Sequence, residues 1–314
     1  MVFELFKHIL VLILLISMYT KALTTSRLGL RGSRSLTDFV RAPLYARKNK
    51  LVSIPASEVA AAIGMNPYKP PDEVFTNLWN KWSPETFTGQ TKMAEQFEAL
   101  SRLSPDKQEL MQVASKTVAK DAKEATQLLN NATSIIEKST EIANEDKEKV
   151  IELLKTQVST GHGTRTEDKV VDKVSRDEGI TFQRDTELYS VPIIDFEEEE
   201  GGEGREFVVR GKIDRLQMDE DGELVLVEVK SRMKRLFHEV REYEWVQVQC
   251  YLQMLPQQIR KAKLIEQYLD ETATHEIDRD DEYWQDEIQP ALVRFCVELN
   301  AAMDGSQEQE QEQQ

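Results

Sequence analysis

Two carboxylates and one lysine stand on two stretches that otherwise have the composition of β-strands. Asp214 ends the run Val208-Val-Arg-Gly-Lys-Ile-Asp, and Glu228 and Lys230 lie in the run Leu224-Val-Leu-Val-Glu-Val-Lys. Side chains two positions apart in a strand share a face, so Glu228 and Lys230 project together. Charges on so apolar a strand are costly unless they are paired or bind an ion. This pattern suggests a divalent metal beside a lysine.

The loop between the two stretches decides whether Asp214 joins the pair. The link is acidic and contains Gly222, which is the composition of a hairpin turn. A two-residue turn would set Asp214 opposite Val229, on the other face. A three-residue loop, Glu220-Asp-Gly222 with a left-handed glycine, sets Asp214 opposite Glu228. Only the second geometry brings the two carboxylates and the lysine together.

The chemistry of such a group would be phosphoryl transfer. Carboxylate oxygens suit Mg²⁺, with Mn²⁺ as the alternative ion, and Mg²⁺ binds phosphate oxygens. The lysine would stabilise an attacking hydroxide or the charge that builds on the phosphate. The alternative interpretation is an ordinary surface hairpin, because an Asp followed by Glu-x-Lys arises often by chance when 31% of residues are charged.

Composition limits the classes of protein that need consideration. A chain of 314 residues suggests one or two domains, and 40% hydrophobic residues suffice for a core. The formal charge of −16 argues against a protein that coats nucleic acid through general basicity. Two cysteines, Cys250 and Cys296, support neither a disulfide framework nor a four-cysteine cluster.

The N-terminus has the features of a targeting leader. Residues 1–22 resemble a signal peptide, with an apolar run too short for stable membrane insertion. Residues 23–49 are rich in Ser, Thr and Arg and resemble a transit peptide. A signal followed by a transit segment predicts delivery to a plastid; the alternatives are a mitochondrion and secretion.

The folded domain is predicted to span residues 50–302, followed by a disordered Glu/Gln tail at 303–314. Ser57 is predicted to cap a helix over 58–63 that ends at Gly64, and a second helix is predicted over 71–82. Residues 91–158 are predicted to form a projecting helical hairpin, which is either a partner-binding arm or a solvated insertion. Its coiled-coil-like apolar stripe comprises Val118, Ala122, Ala125, Leu129, Ala132 and Ile136.

Glu167 has two interpretations. Thr164 and Glu167 fit a capping box at a helix start. Glu167 also shares an apolar helix face with Val170, Val171 and Val174, which turns it inward as a candidate metal ligand.

The rest of the domain is predicted as a strand over 186–191, the hairpin, a helix over 239–255, a strand over 262–268 and a helix over 281–299. The third of these elements carries Gln247, Gln249 and Tyr251, which are either packing residues or contacts to a phosphate backbone. A local basic cluster adjoins the hairpin: Arg210, Lys212, Arg215, Lys230, Arg232, Lys234 and Arg235.

These motifs resemble a known family. Gly211-Lys-Ile-Asp214, Glu228-Val-Lys230 and Gln247-Val-Gln-Cys-Tyr251 are similar to those of the PD-(D/E)XK nuclease superfamily. Ser57-Glu-Val with Gly163-Thr-Arg-Thr-Glu167 resembles its lambda exonuclease and YqaJ viral recombinase branch. The resemblance covers about residues 50–299 and is interrupted by the helical tract.

The resemblance implies an α/β (α+β) fold, with a restriction-endonuclease-like core of a mixed sheet flanked by helices. It implies a catalytic set of Lys230, Glu228, Asp214, Glu167 and Gln247, with the last orienting the site. The implied metal ligands are Asp214, Glu228, Glu167 and the Val229 carbonyl. The implied substrate contacts are Lys50, Ser57, Gln249, Tyr251 and Arg232.

The sequence departs from the family pattern at three of these places. Lys50 stands where a bidentate arginine would join Ser57 in holding a 5′-phosphate. Ile213 stands in place of the usual proline, and Lys212 in place of a common serine.

The expected function is a Mg²⁺-dependent deoxyribonuclease, an exonuclease acting on linear duplex ends in organelle DNA recombination or repair. DNA is the expected partner, and a trimer is suggested by the resemblance alone. A protein partner could bind through residues 91–158. The alternative is a non-catalytic nuclease-fold module that binds DNA or a partner through its helical tract.

Overall fold

A computed structural model describes residues 50–197 and 204–311, so the predicted leader over 1–49 lies outside the described residues. Its helices and strands follow in chain order. They are β1 (Lys50–Pro55), α1 (Ala56–Ala62), α2 (Pro71–Trp82), α3 (Lys92–Ser101), α4 (Pro105–Lys116), α5 (Ala122–Glu137), α6 (Asn144–Glu178), β2 (Phe182–Arg184), β3 (Tyr189–Phe196), β4 (Arg205–Gly211), β5 (Arg215–Met218), β6 (Leu224–Ser231), α7 (Glu242–Met254), β7 (Lys261–Tyr268), β8 (Glu271–Asp278), α8 (Asp281–Tyr283) and α9 (Gln289–Gln311). A π-helical turn, Trp284–Ile288, joins α8 to α9. No helix within the described ranges is long and apolar enough to cross a membrane.

The described strands form two mixed sheets with helices packed against them, which confirms the predicted fold class. The smaller sheet has the order β1-β4-β3, with β1 parallel to β4. The larger has the order β2-β5-β6-β7-β8, with only β6 and β7 parallel. Residues 225–229 of its central strand β6 are buried on both faces, and Leu224, Leu226 and three valines make most of the strand apolar.

The three-residue turn is confirmed. Arg215 pairs with Val227 and Met218 with Leu224, a register that continues to Asp214 opposite Glu228. Gly222 has φ of +80°, as the third residue of the loop requires. The first arm is not one strand, however, because β4 belongs to the smaller sheet and β5 to the larger. The chain passes between the sheets at residues 212–214.

The prediction of a projecting helical hairpin over 91–158 is wrong. Four helices, α3 to α6, pack around a core of their own, whose largest fully buried members include Met111, Ile136 and Leu154. A bundle buries more apolar surface than two helices can, which explains why these short helices are stable. Val118, the first residue of the predicted stripe, precedes α5 and is exposed.

The predicted end of the tract at residue 158 falls inside α6, a single helix of 35 residues. Because α6 runs through Thr164 and Glu167 without a break, the predicted capping box is also wrong. The helix ends at Gly179, which has φ of +70°. Its second half packs Val170, Val171 and Val174 against Val227 and Val229 of β6. One helix therefore connects the bundle core to the central strand.

Helix ends agree with the sequence in part. The helix over 71–82 and the left-handed Gly64 are confirmed. Ser57 is not an N-cap, because α1 begins at Ala56 and Ser57 is its second residue.

The strands and helices after residue 186 differ in their bounds from the predicted ones. β3 and α7 overlap the predicted strand and helix, β7 matches its prediction closely, and β8 lies where no strand was predicted. The predicted tail begins too early, because the Met303 side chain is 1% exposed and Asp304 pairs with Arg205.

The bundle core yields a prediction about stability. Ile136→Ala should lower the free energy of unfolding by about 2–5 kcal/mol, because the side chain is fully buried and its removal leaves a cavity. Val118→Ala is the matched control and should change it by less than about 0.5 kcal/mol, since Val118 is 63% exposed. Chemical denaturation of both variants measures the difference, and equal effects would contradict the described core.

Candidate active site

Glu228, Lys230 and Gln247 form the centre of the candidate site. Glu228 and Lys230 project from one face of β6 towards α7, which carries Gln247. Lys230 Nζ lies 2.8 Å from Glu228 Oε1 and 3.0 Å from Gln247 Oε1. The Gln247 amide donates to Glu228 Oε1 at 3.1 Å. The three groups are therefore held in one closed hydrogen-bonded set.

Asp214 joins this set from the link between the two sheets. Its Oδ2 accepts a hydrogen bond from the Val229 N–H at 2.8 Å, which fixes the carboxylate beside β6. Burial, followed by the nearby charge of Glu228, raises the pKa of Asp214 from 3.8 to about 8. Burial and the negative charge of Glu228 thus both favour the neutral form of this carboxyl group.

Lys230 remains a cation in this setting. Burial alone would lower its pKa, but Glu228, Glu244 and Asp214 together outweigh burial, and the pKa of Lys230 is raised. The site therefore presents a fixed positive charge beside two carboxyl groups.

The residues present fit a divalent metal ion. Glu228 Oε2 is buried and has no hydrogen-bond partner among the described residues, although Oε1 of the same group has two. A buried oxygen without a partner is costly unless a ligand occupies its free position. Hard carboxylate oxygens are the donors that Mg²⁺ or Mn²⁺ prefers. A cation between Asp214 and Glu228 would also relieve the repulsion that raises the pKa of Asp214.

Glu167 faces the site but is engaged elsewhere. It lies on α6, and its Oε1 accepts a hydrogen bond from Arg215 Nη1 at 3.0 Å. Arg215 is buried and also pairs with Asp168. Among the residues that the structure describes, no three Asp, Glu, His or Cys side chains surround one point. The predicted three-carboxylate ligand set is therefore not assembled among the described residues.

Tyr251 supports Gln247 instead of facing a substrate surface. Its hydroxyl accepts a hydrogen bond from Gln247 Nε2 at 3.0 Å, and its side chain is buried. The ring passes so close to Gly211 that a Cβ there would lie 2.6 Å from Tyr251 Cε1. Glycine at 211 thus lets the end of β4 approach α7 and positions the residues that follow it.

Arg232, predicted to contact substrate, belongs to a buried ion-pair network. Its guanidinium donates to both oxygens of Glu244, at 2.6 and 2.8 Å, and to Glu266 at 2.7 Å. Glu266 also accepts from the backbone N–H groups of Phe237 and His238. The predicted basic cluster is accordingly divided. Arg215 is buried and Arg232 partly buried, both in ion pairs, whereas Lys212, Lys234 and Arg235 are exposed.

Sequence reasoning missed Glu244 and Glu266. The signal was present as two acids in apolar segments, but only the fold sets them beside Arg232.

Gln249 and the predicted 5′-phosphate pocket lie elsewhere. Gln249 is 0% exposed, and its amide bonds to the Asp278 carbonyl and the Asp280 N–H. It joins α7 to the end of β8 and offers nothing to a substrate. Lys50 begins β1, which is about 16 Å long at 3.3 Å per residue, and Ser57 lies in the helix beyond the other end of this strand. The structure does not bring those two side chains together.

A family model described as the PD-(D/E)XK nuclease superfamily matches residues 92–313. The match covers more than half of the 314 residues, and the chain belongs to this superfamily. The matched range includes the helical bundle and both acids of the candidate site. No protein among curated sequences matches the chain.

Two solved structures are similar to the chain at low identity. One is a crystal structure of LHK-Exo in complex with dAMP, with 14% identity and a TM-score of 0.36, covering 65% of this chain and 92% of that one. The other is SSO0001, with 13% identity and a TM-score of 0.33, covering 66% of this chain and 83% of that one. Similarity at this level does not extend to activity or ligand.

The raised pKa of Asp214 predicts a pH dependence of stability in the absence of metal. The folded state favours the protonated carboxyl, so this contribution is fully present below about pH 4 and is lost as the pH rises towards 8. Asp214→Asn should remove that loss, since an amide oxygen can still accept the Val229 N–H. The variant should therefore be more stable than the parent chain at pH 8–9 and similar to it near pH 4, by denaturation in EDTA.

Asp281→Asn provides a control of opposite sign. Arg279, Gln253 and Arg260 outweigh burial and lower the pKa of Asp281 to about 2, so its contribution is present above about pH 4 and is lost below it. This variant should be less stable than the parent chain at neutral pH. Parallel pH profiles for the parent chain and Asp214→Asn would contradict the described environment of Asp214.

The close approach of Tyr251 to Gly211 predicts a steric defect. Gly211→Ala should lower the free energy of unfolding by about 1–3 kcal/mol, and Tyr251→Leu in the same chain should restore part of it. Gly163→Ala, inside α6 with no atom within 4 Å of the added Cβ, should instead raise it by about 0.5–1 kcal/mol. Urea denaturation tests both, and tolerance of alanine at 211 would contradict the contact.

Proposed function

We propose that this chain is a metal-dependent deoxyribonuclease that hydrolyses phosphodiester bonds in DNA, acting as an exonuclease on the ends of linear duplexes. One observation carries the proposal: Asp214, Glu228, Lys230 and Gln247 lie together in a chain of the PD-(D/E)XK superfamily. A module relieved of catalysis would have no need to keep the buried Glu228 carboxylate, a second carboxyl group and a lysine at one point.

The residues of the chain have distinct tasks in this proposal. Hydrolysis forms a P–O bond to water and breaks the P–O bond to the leaving group, so negative charge builds on the phosphate oxygens. Lys230 supplies positive charge beside these oxygens. Gln247 holds the Lys230 ammonium and the Glu228 carboxylate in position. The Val229 N–H fixes Asp214, whose carboxylate would hold a metal ion together with Glu228.

Asp214 and Glu228 would hold the metal, which, when bound, lowers the pKa of a water ligand and polarises the phosphate. The Val229 carbonyl is proposed as a further ligand, because Val229 adjoins Asp214 in the sheet. Glu167, whose Oε1 is held by Arg215, would contribute through its other oxygen.

DNA binding must rely on local cations, because the whole chain is acidic. Lys212 lies two residues before Asp214, and Lys234 and Arg235 follow β6; all three are exposed. We infer that these side chains contact backbone phosphates beside the site. Affinity should therefore fall steeply with salt.

The proposal is tested by incubating the chain with end-labelled linear duplex and with covalently closed circular duplex, with Mg²⁺ and with EDTA. Loss of label from linear DNA with intact circles, only in Mg²⁺, supports an exonuclease. Cleavage of circles would show an endonuclease in its place. Absence of Mg²⁺- or Mn²⁺-dependent cleavage of any DNA would reject the assignment.

We also propose that the enzyme works in an organelle, a plastid in the first instance, in DNA recombination or repair. The signal-like segment at 1–22 followed by the transit-like segment at 23–49 supports this location. Fusion of residues 1–49 to a fluorescent protein tests it, and fluorescence in the medium or in mitochondria would favour the other destinations.

Lys230→Ala should reduce the rate of hydrolysis at least about 100-fold while leaving Mg²⁺ binding nearly unchanged, because the lysine acts on charge in the transition state. Lys261→Ala is the control: Lys261 is exposed and pairs with Val225, at the other end of the sheet from Lys230. The rate of hydrolysis by Lys261→Ala should stay near that of the parent chain. Single-turnover kinetics and calorimetry measure the two quantities, and near-normal turnover without Lys230 would contradict its role.

A further inference from the structure

A cavity of about 490 Å³ lies on the other side of β6 from Glu228 and Lys230. Its walls come from the start of α5, one face of α6, the end of β7 and the β7–β8 turn. Val227 and Val229 face α6, and Ser231 continues that face of the strand. The Ser231 hydroxyl lies 2.7 Å from that of Thr166, which lines the cavity. The cavity thus adjoins the residue that follows Lys230.

His162 supplies a buried polar group in the cavity wall. Its side chain is 5% exposed, and Nδ1 has no hydrogen-bond partner in the described ranges. Burial lowers the pKa of His162, so the ring is neutral at pH 7 and one of its nitrogens is a hydrogen-bond donor. A buried ring nitrogen without a partner is costly, and a ligand in the cavity would remove that cost.

The N-terminus of α5 opens at the same place. Lys120, Asp121 and Ala122 line the cavity; Ala122 is the first residue of this 16-residue helix and Asp121 is its N-cap. Asp121 satisfies one of the free N–H groups, that of Glu124. The remaining N–H groups and the helix dipole favour an anion.

The charged side chains around the cavity complete the electrostatic setting. Lys120, Lys169 and Arg176 line it, and none forms an ion pair with another described residue. Lys173 pairs with Asp177 at 2.6 Å. The other acids are Asp121, which caps α5, and Asp270 in the turn. In a chain with a net charge of −16, three unpaired cations beside a helix N-terminus select for an anionic ligand.

We propose that this cavity binds a phosphate group of a nucleic-acid strand, at a second site that is separate from the cleavage centre. A phosphate accepts hydrogen bonds on every oxygen, which suits the imidazole, the helix N–H groups and the three cations together. The position behind Lys230 would let one strand reach both sites around the end of β6. The assignment of the phosphate to a nucleic-acid strand rests on the proposed function. The presence of an anion site rests only on the residues around the cavity.

The test is the affinity of the full chain for a fluorescent duplex, measured in EDTA across a range of salt concentrations. Lys169→Gln together with Arg176→Gln should weaken binding about tenfold and reduce the slope of log K against log salt by about 1–2. Lys155→Gln is the control, because Lys155 is exposed on the same helix but does not line the cavity. Equal affinities and slopes in the double variant and the control would overturn the proposal.

A second measurement separates a strand phosphate from a free one. The chain has four histidines, so the ring signal of His162 can be assigned by NMR from its loss in His162→Gln. The proposal expects that signal to shift when DNA is added, in the parent chain but not in the double variant. A shift with inorganic phosphate only, without any effect of DNA, would overturn the nucleic-acid assignment. DNA binding through the cavity in a chain that cleaves nothing would support this site and reject the proposed function.

Discussion

The buried carboxylate of Glu228 sets the conditions for the rest of the structure. A charge that is 4% exposed must be compensated locally, and each neighbour of Glu228 serves that requirement. Lys230 supplies the opposite charge from the same strand, Gln247 donates from α7, and the other carboxylate oxygen has no partner among the described residues. The hairpin turn, the approach of Tyr251 to Gly211 and the packing of α7 all serve to keep these groups together.

A second buried charge system stabilises the same region. Arg232 binds Glu244 from α7 and Glu266 from β7, and Glu266 in turn holds the backbone at residues 237 and 238. The two systems share α7, because Glu244 and Gln247 lie three residues apart on one face of the helix. Placement of α7 by the ion pairs of Arg232 therefore also fixes Gln247 beside Lys230.

Helix α6 belongs both to the bundle and to the region of the candidate site. Its first half contributes Val150 and Leu154 to the bundle core, and its second half covers β6 and carries Glu167. A helix of 35 residues is about 52 Å long, which is enough to reach from the bundle core to β6. The sequence predicted that a helical hairpin ends at residue 158 and that a new helix starts near Thr164. Both predictions are wrong because α6 is continuous through these positions.

The sequence by itself determined the local geometry: strand alternation put Glu228 and Lys230 on one face, and an acidic three-residue loop with glycine set Asp214 opposite Glu228. These outcomes depend only on neighbours in the chain. The tertiary structure alone decided which charges are free. Arg215 with Glu167, and Arg232 with Glu244 and Glu266, are pairs formed across 48, 12 and 34 residues, so no local pattern could reveal that these groups are already engaged.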